Sequence, residues 1–207
     1  MPTIDEFHYA IQLEALNKVE EMLSQDPTLV NSTDFLGRPP LQNPCWDGNI
    51  PMIQLLISKG ADVNAQNRDG VTPLHSAVSK GDPRAIKLLL EKGANVNAKN
   101  KNGETPLHVA AEFHFINTDV ADLLLRYSAD PAAKNNWGKT PLDVAIKERV
   151  RGPMVDLLRA VIDGTDPTIR ALYPKAGALQ INANPQVSGE AIPDNRPKRR
   201  QFWKLWK

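Results

Sequence analysis

The sequence predicts an all-α chain built as a stack of helix pairs, and three observations lead there. Residues 69–77 read DGVTPLHSA and residues 102–110 read NGETPLHVA, so one phrase returns after 33 positions. Four glycines in similar polar surroundings, Gly37, Gly70, Gly103 and Gly138, are spaced by 33, 33 and 35 residues. Each phrase leads to an apolar run, Leu-Leu-Leu at 88–90 and again at 123–125. A fixed period of this size marks units that cannot bury an apolar face alone and must stack to do so.

The first element opens at Thr3, where Thr3-x-x-Glu6 fits a capping box, each side chain taking a backbone N–H of the other. Ile4, Phe7, Ala10 and Ile11 then recur at helical spacing, followed by Leu16, Val19, Met22 and Leu23. The stretch DPTLVNSTD at 26–34 stands where an internal unit has Gly-Ala-Asp-Val-Asn-Ala, so residues 1–33 read as an N-terminal capping unit that shields its neighbour from water. In the internal units, Thr72-Pro73 and Thr105-Pro106 supply a hydroxyl cap and a proline at the first helical turn, where a missing N–H costs nothing. Gly93 permits positive φ after the second helix.

These residues resemble the ankyrin repeat. The resemblance covers roughly residues 4–162 and divides the chain into an N-terminal cap (1–33), a divergent repeat 1 (34–66), repeat 2 (67–99), repeat 3 (100–134) and a terminal repeat 4 (135–162). Residues 163–207 follow as a linker and tail. The fold class is therefore an all-α ankyrin-repeat solenoid with a disordered C-terminal tail. The resemblance also implies that His75 and His108 tie neighbouring loops together by hydrogen bonds. Four scattered histidines and one cysteine show no ligand spacing, so no metal or cofactor is expected.

The departures from the repeat are informative. Repeat 1 reads Pro39-Pro40-Leu41-Gln42 in place of Thr-Pro-Leu-His, and Pro44 is expected to remove a hydrogen bond and kink or shorten the helix. Repeat 3 gains two residues within 114–118. Repeat 4 has Asp143 in the histidine position, an extra residue around 150–153, and Leu157-Leu158-Arg159 for the leucine run, which suits a wetter terminal face. Beyond Gly164, Asp166-Pro167 suits one more helical turn through Ile169 and Leu172 that packs on the open end. From Lys175 onward, Ala, Asn, Gln, Pro and Gly predominate, a linker composition.

Net charge is +1, but residues 194–207 hold six Lys or Arg against one acid, leaving −4 on the other 193 residues. The tail is a separate object. Its interleaved basic and aromatic residues, Lys198, Arg199, Arg200, Phe202, Trp203 and Trp206, suit an anionic membrane surface, a protein-docking peptide, or a basic patch for import or nucleic acid. A merely solubilising end is the plainer alternative, opposed by the aromatic content. The acidic body disfavours nucleic acid.

The start of the chain has no basic segment followed by an apolar core, and no run approaches the roughly 20 apolar residues of a membrane span. A cytoplasmic setting is the default, which also makes the Asn31-Ser32-Thr33 sequon meaningless. Cys45 has no partner for an internal disulfide and sits where a small buried residue is normal. No catalytic motif stands out: Gly138-Lys139-Thr140 imitates a phosphate loop, but the required earlier glycine is Ala133. The expectation is a non-enzyme.

What the resemblance implies is recognition of a partner protein by the concave face, through loop tips and the exposed ends of the first helices. The corresponding residues are Phe35, Leu36, Arg38, Trp46 and Asp47 in repeat 1, and Arg68, Asp69, Val71, Ser79 and Lys80 in repeat 2. Repeat 3 supplies Lys101, Asn102, Glu104, Glu112 and Phe113, and repeat 4 Asn136, Trp137, Lys139, Lys147 and Glu148. Phe35, Trp46, Phe113 and Trp137 are large groups the framework does not require. Trp46 and Trp137 suit partner contact. Phe35 and Phe113 suit either contact or inward packing. The expected role is an interaction module that is monomeric when free. Its concrete form would be a stoichiometric inhibitor, an immunity or regulatory subunit. The alternative is a peripheral membrane adaptor anchored by the tail.

Overall fold

A computed structural model describes residues 1–112, 118–147, 153–164 and 171–173. Among these residues lie ten α-helices, in chain order α1 (Ile4–Gln12), α2 (Leu16–Gln25), α3 (Gln42–Asp47), α4 (Ile50–Ser58), α5 (Pro73–Lys80), α6 (Pro83–Glu91), α7 (Pro106–Glu112), α8 (Thr118–Arg126), α9 (Pro141–Lys147) and α10 (Pro153–Asp163). Among the described residues there is no strand. The odd-numbered helices pack in one row, α1 on α3, α3 on α5, α5 on α7 and α7 on α9. The even-numbered helices form a second row from α2 to α10. Two layers of stacked pairs result, with one continuous apolar core from Phe7 to Tyr173.

The N-terminal unit starts as its sequence dictates. Glu6 N–H donates to Thr3 Oγ1 at 3.2 Å and Thr3 N–H to Glu6 Oε2 at 2.9 Å, closing the capping box. Phe7, Ala10, Ile11, Val19, Met22 and Leu23 are buried, while Ile4 and Leu16 of the same apolar pattern lie outside. A 3₁₀ turn, Pro27–Asn31, capped by Asp26, then buries Leu29 and Val30.

Repeat 2 shows the framework in full. Thr72 accepts the His75 N–H, Pro73 occupies the first turn, and Gly81 closes α5 at φ 76°. In repeat 1 the same segment is built differently. Leu41 stands at the N-cap without a side-chain bond, and α3 begins only at Gln42. Pro44 therefore falls in the first turn, ahead of the first intrahelical bond from Cys45 N–H to Leu41 O at 3.1 Å. The expected lost hydrogen bond and kink are corrected: the helix avoids both by starting late, and is short for that reason. Cys45 is fully buried and its thiol pKa is pushed well up by that burial, an inert packing thiol.

The C-terminal end also needs a correction. The expected wetter face lies on α9, where Asp143, Ile146 and Lys147 are exposed, and not on α10. Leu157 and Leu158 are buried, Leu158 as completely as Leu89 in the middle of the stack. Only Arg159 of that trio faces solvent. α10 packs on both α8 and α9. Beyond it, Leu172 packs against the core and Tyr173 is buried, its hydroxyl donating to Asp122 of α8. Of the expected extra turn, Asp166, Pro167 and Ile169 lie outside the described residues. The two insertions, within 114–118 and around 150–153, lie outside the described residues but for Thr118 and Pro153, and so does the tail from residue 174 on.

Candidate partner-binding face

Each repeat begins with a hairpin, and one side chain organises it. Asp34, Asn67, Asn100 and Asn135 each accept two backbone N–H groups, from the residues two and four positions on, at 2.8–3.1 Å. These are Asx turns, in which the side chain stands in for a backbone acceptor and holds a tight loop. The glycine three positions on adopts positive φ in every case, 70–75°. At Gly103 a Cβ would lie 2.4 Å from Asn136 Oδ1, so the glycine is also what lets successive tips stack.

Neighbouring tips are bonded to each other. Lys101 N–H donates to Asp69 O at 2.8 Å, Asn136 N–H to Asn102 O at 2.9 Å, and the Asn136 amide to Lys101 O at 2.8 Å. The histidines complete the link. His75 Nε2–H donates to Glu104 O at 3.1 Å, and His108 Nε2–H to Lys139 O at 3.0 Å. Their Nδ1 atoms accept the N–H of Thr72 and of Thr105, both at 3.2 Å. Burial lowers both histidine pKa values, and a second ring proton would meet a threonine N–H head-on. Asp143 keeps the local half of this device, accepting from Thr140 N–H and Oγ1–H at 2.9 Å.

A second ladder runs along the loops after the even-numbered helices. Asn31, Asn64 and Asn97 each donate a side-chain N–H to a carbonyl of the next unit (Gly60, Gly93, Ser128) and accept an N–H from it (Asp62, Asn95, Asp130). Sequence reasoning missed this ladder, although the 33-residue recurrence of those asparagines announces it.

On this scaffold the expected contact residues divide by what their groups already do. Phe35, Leu36, Trp46 and Trp137 are exposed at 73%, 46%, 55% and 63%, so Phe35 points outward rather than packing in. Asp47, Arg68, Asp69, Lys80, Lys101, Glu112 and Lys139 also lie on the surface. Arg38 is partly buried and ion-paired with the buried Asp34 at 2.7 Å. That carboxyl titrates low because, against its burial, Arg38 bonds and charge win. Glu104 accepts from Asn100 Nδ2 at 3.0 Å, and Val71 is half-buried. Phe113 and the tail residues Lys198, Arg199, Arg200, Phe202, Trp203 and Trp206 lie outside the described residues. Trp46 and Arg38 share a cleft of about 260 Å³ with Gln42, Asn43 and Ser76, three residues the sequence pattern did not single out as contacts. Among the described residues there is no cluster of three metal-ligating side chains, and no helix is long and apolar enough to cross a membrane.

A description of ankyrin repeats in three copies matches residues 7–100 and again residues 81–171. The chain belongs to the ankyrin-repeat family. Ankyrin repeats are a protein–protein interaction module and are typically non-catalytic. The ankyrin chain is also similar to the serine/threonine-protein kinase VIK of Arabidopsis thaliana, 44% identical over 50 residues. That match covers 24% of this chain and 11% of the kinase, so it is a likeness of short segments.

Proposed function

We propose that this protein binds one partner protein through its hairpin tips and first helices, as a stoichiometric inhibitor, an immunity or regulatory subunit. The observation that carries the reading is the exposure of Phe35, Trp46 and Trp137. None has a task in the ladders above, and large rings at such sites are typical anchors of protein interfaces. The stacked turns (Phe35, Trp137) and helix α3 (Trp46) hold these anchors in place before binding, so little ordering entropy is lost on association.

The test uses the full chain as affinity bait in extract from its source organism, beside the double variant Trp46→Ala/Trp137→Ala. The partner identified by mass spectrometry is then titrated calorimetrically against both. The expected result is one stoichiometric partner whose affinity falls by at least tenfold in the variant. A variant that melts like the parent and binds with unchanged affinity would sink the reading.

A further inference from the structure

We propose that a cleft at the N-terminal end of the stack is the docking site for the chain's own C-terminal segment, residues 198–207. The cleft, about 420 Å³, is lined by Asp5, Glu6, His8 and Tyr9 of α1 and by Asp34 and Phe35 of the first hairpin. That volume is in the range of small-ligand and side-chain pockets. His8 and Asp34 are buried and already bonded, to Ser32 and Arg38. The groups offered to a ligand are therefore two exposed rings, Tyr9 at 61% and Phe35 at 73%, beside the Asp5 carboxylate and a Glu6 carboxylate that also closes the α1 capping box. Rings flanked by carboxylates suit a cation on an apolar stem, or an aromatic side chain next to a cation.

The distribution of charge identifies the occupant. Residues 1–33 hold six acids (Asp5, Glu6, Glu14, Glu20, Glu21, Asp26) against Lys18 alone, a net −5. Residues 194–207 carry +5, which leaves the 160 residues between them at +1. The net negative charge of the body thus lies in the unit that forms most of this cleft. The tail offers the matching chemistry, with Lys204 between Trp203 and Leu205 and Lys207 after Trp206.

Geometry permits docking within one molecule. The 34 residues after Tyr173 span up to roughly 110 Å when extended. Five helix pairs spaced by 8–10 Å make a stack of roughly 50 Å. A tether of this kind sets an effective concentration in the millimolar range, so weak local contacts suffice. Phe35 belongs both to this cleft and to the proposed partner face. The docked segment therefore excludes a partner there, a consequence that rests on the proposed function although the docking does not.

The experiment is zero-length carbodiimide coupling of the full chain, read by peptide mapping. Lys204 or Lys207 is expected to link to Asp5, Glu6 or Glu14 in the monomer band, with a yield independent of protein concentration. Tyr9→Ala/Phe35→Ala, which trims only exposed rings, should cut that yield at least fivefold while leaving the melting curve unchanged. Asp5→Lys should lower it, and Asp5→Lys/Lys204→Glu should restore a link between those two positions. Tail lysines linking instead to carboxylates within 35–164, or to none, would overturn the proposal. So would links confined to a dimer band that grows with concentration, since the occupant would then be a second copy.

Discussion

Repeats 1 and 2 have the same length and the same fold, yet their first helices hold together in different ways. Repeat 2 follows every local rule: Thr72 caps α5, Pro73 fits its first turn, and His75 reaches the next hairpin. Repeat 1 has no side-chain cap, a shorter helix, and a glutamine whose Oε1 is buried without a protein partner. Its hairpin relies on the buried Asp34–Arg38 pair, and its outer face carries Phe35, Leu36 and Trp46. The interior does not register the difference, for Leu41, Met52, Ile53 and Leu56 are as buried as Leu74, Ile86 and Leu89. The apolar stacking of repeat 1 does not depend on a capped first helix. Local rules are relaxed where the surface carries something else, as is common near functional sites.

If burial alone sets stability, the two repeats should respond alike to cavities. Leu56→Ala and Leu89→Ala are each expected to cost about 2–5 kcal/mol, by lost transfer energy and an unfilled cavity. Leu158→Ala should cost about the same, because Leu158 is as fully buried as Leu56 and Leu89. Urea denaturation of the three variants decides this, and a clearly smaller loss at Leu158 would return the terminal repeat to a wet cap.

The surface comparison predicts the opposite asymmetry. Trp46→Ala should weaken a partner complex by about 2 kcal/mol or more. Ser79→Ala, on the same helix row in repeat 2, should change it little. Titration of the identified partner measures both, and equal losses would remove the special standing of repeat 1.

Repairing the local rules should make repeat 1 resemble repeat 2. Pro39→Thr/Gln42→His restores a cap and supplies a ring to bridge to the second hairpin, and is expected to add about 1 kcal/mol. Thr72→Ala should remove about as much from repeat 2. A repaired repeat 1 that is less stable in urea would mean that the late start of α3 is itself required.

The smallest expected effect is on pH dependence. His75 and His108 have folded-state pKa values lowered from the ordinary 6.5, by burial first. The unfolded chain binds protons more readily at these sites, so their contribution is fully present above about pH 6.5. It is lost as pH falls through that value toward the lower folded values. The urea midpoint should therefore drop between pH 7.5 and pH 5, and less so in His75→Asn/His108→Asn.

Much of this was legible in the sequence because its signals are local and repeated. Thr-Pro-Leu-His states both cap and turn, and Thr3-x-x-Glu6 states its own box. The ladder of Asn31, Asn64 and Asn97 was equally present as a period but was overlooked, since DPTLVNSTD hides the first member in an atypical loop. The candidate face was legible as a set of positions. It was not legible which groups are already engaged, because Asn136 and Glu104 look as available as Lys101 until their neighbours are in place.

By itself the sequence determined the repeat period, the helix pairs, the turn residues and the segregation of charge toward the two ends. Those follow from bonds and spacings within a few residues, or from a count. Only the tertiary structure decided where α3 begins, how dry α10 is, and that Tyr173 returns to Asp122, 51 residues back. Burial depends on what lies over a side chain, and in a stack that is a neighbour roughly 30 or more residues away in the chain.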